Sequence, residues 1–161
     1  MDAIQHGGDP QVGNLATPLN SSGISKAFIQ NLPAYRAGLS PLGRGLEVGM
    51  AHGYFVYGPL AVLGPLRGTE SAETAGVLAA IGLVSILTIA LSLYSSAMGG
   101  APVSMVTAPD VPEEFGTKKG WSEFATGFFL GGCGGAAFAY ALCLTPHLDI
   151  LQGVVKAVWS S

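Results

Sequence analysis

NLPAYRAGLSPLGRGLEVGMAHGYFVYGPLAVLG, Asn31 to Gly64, decides how the rest of this chain is read. A polar run with two prolines (Pro33, Pro41) and two arginines (Arg36, Arg44) leads into an apolar segment, which holds Glu47 near its start and His52 inside it. The 20 residues from Gly45 to Gly64 would rise about 30 Å as a helix, the thickness of a bilayer's hydrocarbon core. Ionisable groups at such depth are costly and rare, so each is a functional candidate.

Glu47 and His52 lie five residues apart, about 140° of rotation and about 7.5 Å of rise on a helix. They face different ways and do not chelate one ion easily; separate partners suit them better. A neutral imidazole is a common metal ligand, and a carboxylate oxygen also serves. The magnesium of a chlorophyll takes one axial ligand of this kind, and its flat ring would fit beside Gly49, Gly53 and Gly58. Two plainer readings stay open. Glu47 has Arg44 three residues earlier as an ion-pair partner, and His52 could be a helix-packing histidine.

Composition places the chain in a membrane. Of 161 residues, 49% are hydrophobic and 11% charged, where a soluble domain carries about 25% charged residues. A net charge of -3 and the lack of a basic patch argue against nucleic acid. Cys133 and Cys143 would lie about 15 Å apart on one helix, beyond disulfide reach, and read as apolar thiols. The first residues, MDAIQHGGDPQVGN, have no basic and apolar leader pattern and no Arg-rich transit pattern, so an unprocessed product is expected.

The expected fold class is an all-α integral membrane protein: three transmembrane helices, a polar N-terminal arm and a short amphipathic C-terminal helix. The arm is 1–44, extended apart from a short helix near Ile24 to Leu32. The spans are 45–63, 74–96 and 121–144, joined by a polar turn and by a loop at 97–120, with a tail at 145–161. Gly58-Pro59 is expected to loosen the first span. Ala72, Gly76, Ala80, Thr88, Ser92 and Ser96 make a small-residue stripe in the second, broken once by Val84. Gly127, Gly131, Gly135 and Ala139 make an unbroken one in the third, a close-packing face for a helix or a ring. Trp121 suits an interfacial anchor. Gly132 to Ala137 fits a dinucleotide-binding pattern but follows no strand, so it is set aside. The loop is long enough to dock on a partner protein. His147 is by default an interfacial histidine, with ligation as the alternative. Five positive charges on one side against two on the other put the N-terminus in the cytoplasm.

The run NLPAYRAGLSPLGRGLEVGMAHGYF followed by LGPLR closely resembles photosystem I reaction-centre subunit XI, the L subunit, in its cyanobacterial form. The likeness is near-continuous from Asn31 to Arg67, and the architecture agrees beyond it. The resemblance implies a multi-pass subunit of the thylakoid or other photosynthetic membrane, with its C-terminus in the lumen. It implies bound antenna chlorophyll a and β-carotene, and partners among the large reaction-centre subunits, neighbouring small membrane subunits and lipids. It also implies contacts between copies across a trimer axis. Glu47 and His52 match the family's motif as magnesium ligands. In the family a calcium can bind between copies beside an acidic residue three positions after the motif's proline. Here that position, counted from Pro65, is Gly68, so the site is expected to be absent or rebuilt around Glu70. No catalytic constellation is visible, so an enzyme is not expected. The alternative reading is a small membrane transporter or channel subunit, since buried acid and imidazole groups also suit an ion path.

Overall fold

The computed structural model describes residues 5–6, 14–97, 100, 104–108, 110–145 and 153. Among these the chain forms four α-helices: α1 (Gly23–Asn31), α2 (Pro41–Leu63), α3 (Ala72–Ala97) and α4 (Lys118–Cys143). The arm adds a short antiparallel pair, β1 (Gln5–His6) and β2 (Leu15–Ala16), and the loop before α4 adds a 3₁₀ turn at Glu113–Gly116. Neither the strand pair nor the 3₁₀ turn was expected from the sequence. The amphipathic tail helix falls almost wholly outside the described residues.

Hydroxyl side chains set where the helices begin. Ser22, Ser40 and Thr117 cap α1, α2 and α4, accepting from the backbone N–H of Ser25, Gly43 and Gly120 at 3.1, 3.2 and 3.0 Å. Pro41 opens α2, where a missing N–H costs nothing. The helix runs on through Gly58-Pro59 to Leu63. α3 and α4, 26 residues each, are long and apolar enough to cross a membrane. α2 has 23 residues and falls short on apolarity because it carries Arg44, Glu47 and His52.

α2 and α4 run parallel and touch backbone to backbone. A Cβ placed on Gly45, Gly49 or Gly53 would strike the carbonyl oxygens of Phe124, Phe128 and Gly132 in turn. From the other side, a Cβ on Gly127, Gly131 or Gly135 would strike the carbonyl oxygens of Leu42, Leu46 and Met50. Two glycine rows thus interlock over more than two turns, an approach only glycine permits. The small-residue face of α4 therefore receives a helix and not a ring. Gly49 and Gly53, expected beside a macrocycle, belong to this seam; of that trio only Gly58 has open space beside it.

α3 runs antiparallel to both. Gly76 sits against Ala61, and Ser95 Oγ donates to Lys118 O at 2.9 Å. Val84, the break in the α3 stripe, is fully buried, with its side chain over Gly132. Gly76, Ala80 and Val84 are spent inside the chain, as is the glycine face of α4, while Ser92 and Ser96 of the α3 stripe stay exposed. Tyr57, Ala61, Val77, Ala80, Ala136 and Ala139 form the core at one end of the bundle. At the other end Trp121 packs on Tyr94, Phe115 and Phe124, and its Nε1–H donates to Phe115 O at 2.7 Å. Asn14 Oδ1 accepts from Val106 N at 3.0 Å, tying the arm to the loop between α3 and α4 at this end.

Candidate functional site

Residues 32–40 turn back over the start of α2. Leu32 O accepts from Tyr35 N and Arg36 N at 2.9 and 2.8 Å, and Gly38, at φ +80°, makes the reversal. That φ lies where a side chain is strained and glycine is not. The fold-back brings Arg36 to Glu47, and the two form an ion pair. The sequence reading offered Arg44 to Glu47, and this is corrected. Arg44 is turned into the loop, 4% exposed, and one terminal nitrogen donates to the carbonyls of Pro33, Ala34 and Arg36 at 3.2, 3.1 and 2.7 Å. Only Glu47 Oε1 is engaged; Oε2 has no partner among the described residues.

His52 stands on an exposed flank of α2. Its Nδ1 lies 2.8 Å from Val48 O. A carbonyl oxygen only accepts, so Nδ1 carries a proton, and in the neutral ring Nε2 then keeps the lone pair. Phe128 meets the ring edge-on, with centroids 5.4 Å apart. No hydrogen bond joins His52 to Glu47 among the described residues, as their spacing requires.

The remaining candidates are not gathered with these. His147 lies outside the described residues. Glu70 is exposed in the turn between α2 and α3, and Pro65 lines a small apolar hollow with Leu60, Ala61 and Ala75. Gly68 has φ +78°, which gives a backbone reason for glycine where an acid was looked for. Among the described residues no three His, Cys, Asp or Glu side chains gather to hold a metal. A cleft of about 560 Å³ opens beside the Arg36 loop, with Asp110, Glu113 and Glu114 opposite the two arginines.

Comparison with known proteins settles the family. The family model described as photosystem I reaction centre subunit XI matches residues 2–148. The chain belongs to this family. The subunit XI protein of Crocosphaera subtropica is 63% identical over 155 residues, covering 96% of this chain and 99% of its own length. That of a Picosynechococcus species is 65% identical over 144 residues, with 89% and 95% covered. That of Synechococcus elongatus is 56% identical over 162 residues, with 99% and 98% covered. As a member of this family, the chain is a structural subunit of photosystem I, a membrane complex, and not an enzyme. What sequence reasoning missed is Arg36. The signal was faint: Gly38 five residues before Gly43 and the prolines at 33 and 41 mark a turn, but not its direction.

Proposed function

We propose that this chain binds antenna chlorophyll a and β-carotene at the edge of photosystem I, with His52 and Glu47 as axial magnesium ligands. The observation that carries it is the His52 ring: its Nδ1–H is held by Val48 O, and a free Nε2 lone pair stands on an exposed flank of a bilayer-length helix. A ligating histidine is usually oriented in this way through its other nitrogen. Glu47 fits the same role with one oxygen on Arg36 and the other unpartnered. Leu46, Met50, Tyr54 and Phe55 are exposed along α2 and offer the apolar surroundings a pigment needs. The pigment, when bound, supplies light absorption and energy transfer; the chain fixes its distance and angle. Changing His52 to Leu should cost the complex a single chlorophyll while α2 stays in place. A full chlorophyll complement and an unchanged absorption spectrum in that variant would overturn the assignment.

The reading includes three spans, because α2 lies along α4 for more than two turns and must share its depth. The arm and the α3–α4 loop then share the cytoplasmic side, and the tail lies in the lumen. The large reaction-centre subunits, neighbouring small subunits and lipids cover the outer faces. Contacts between copies join trimers through the turn after α2 and the outer face of α3, since the glycine face of α4 and the first half of the α3 stripe are filled. Any calcium near Glu70 would draw its remaining oxygens from other copies, for calcium takes about six to eight. Deleting the subunit should leave monomeric photosystem I on size-exclusion chromatography; persisting trimers would refute this part. A transporter is disfavoured, because Glu47 and His52 lie on separate flanks and the α2–α4 seam leaves no path between them.

A further inference from the structure

Glu47 is held through a residue that never touches it. Among the described residues, only Arg44 and Glu47 send side-chain hydrogen bonds from α2 back to residues 33–39. Arg44 is buried and pairs with no carboxylate among the described residues. A buried guanidinium is costly unless its hydrogen bonds are made; here three backbone carbonyls serve Nη1, while Nε is buried without a partner among the described residues. One of these belongs to Arg36 itself, at 2.7 Å. The Arg36–Glu47 pair joins one side chain of the loop to one of α2, and Arg36 reaches Glu47 only while the loop is folded back over the start of the helix. Its geometry depends on where the Arg36 backbone is pinned.

We infer that Arg44 is a positioning residue for the Glu47 site: it clamps the loop that carries Arg36, and Arg36 occupies one oxygen of Glu47 so that the other is presented to magnesium. This rests on the proposal that Glu47 is an axial ligand. Lysine replaces the clamp only in part: all three bonds come from one terminal nitrogen, so the fork of the guanidinium is not used, but an ammonium on a shorter side chain falls short of the same three carbonyls.

The test is made on photosystem I complexes purified from cells carrying Glu47→Leu, Arg36→Leu, Arg44→Met or Arg44→Lys. Chlorophyll is counted per complex, low-temperature absorption and circular dichroism are recorded, and the Arg44 variants are imaged by electron cryo-microscopy. Arg36→Leu and Arg44→Met should lose the same chlorophyll bands as Glu47→Leu and keep those lost in His52→Leu. Arg44→Lys should show reduced occupancy at the Glu47 site. Full occupancy in either Arg44 variant, or simultaneous loss of the Glu47 and His52 pigments, overturns the inference. If Glu47→Leu loses no chlorophyll, the ligand reading fails on its own, and the maps then decide the clamp. A displaced Arg36 loop with the ion pair broken upholds it; an undisturbed Arg36–Glu47 pair overturns it. Should Arg44→Met not assemble, Arg44→Lys is read by the same criteria.

Discussion

α4 is held by its two neighbours in unlike ways. From α2 it meets Gly45, Gly49 and Gly53, and the contact is peptide on peptide. α3, by contrast, sends a side chain into the bundle: Val84 lies over Gly132, with Ala80 buried beside the same core. In lipid no hydrophobic force draws helices together, so close packing and weak Cα–H···O contacts must do it. A backbone seam has no rotamers to adjust; any added carbon must push the helices apart. A side-chain contact can repack around a lost methyl group. The difference also explains how α2 keeps two flanks for Glu47 and His52: its backbone contact with α4 is confined to one narrow glycine row.

The sharpest way to break this contrast is to put bulk into the seam. Gly131→Leu should remove the subunit from assembled photosystem I altogether, because its Cβ already collides with Leu46 O before the rest of the side chain is placed. Immunodetection of subunit XI in purified complexes reads this; wild-type levels would show that the helices can part without loss. Val84→Ala tests the softer contact. It should cost about 1–2 kcal/mol in packing and leave the subunit in place, seen as easier loss of the subunit on mild heating. If Val84→Ala empties the complex as Gly131→Leu does, the two contacts are not different in kind.

α3 and α4 were legible because they are apolar over bilayer length. The glycine row of α4 was legible as a packing face, but its partner was not. Gly45, Gly49 and Gly53 keep the same spacing, yet which of two glycine-rich faces meets a helix and which a ring is decided by three-dimensional fit. Val84 looked like a defect in a stripe of small residues because its role depends on the hollow above Gly132, 48 positions further on. Glu47 and His52 stood out as ionisable groups in an apolar run. The identity of Glu47's partner did not, since the three-residue spacing to Arg44 favours a helical pair and only the fold-back at Gly38 brings Arg36 into reach.

The seam also sets a schedule. α2 ends at Leu63, and Gly135, the last glycine of the row it fits, comes 72 residues later. At a synthesis rate of about 5–20 residues per second, α2 waits roughly 4–14 s before that row has been made. Through that interval α2 has its glycine row uncovered, and α3, which arrives first, meets it at Ala61 and not at the glycines. The nascent subunit is therefore most vulnerable to a membrane protease, and most dependent on a helper protein, between the emergence of α2 and that of α4.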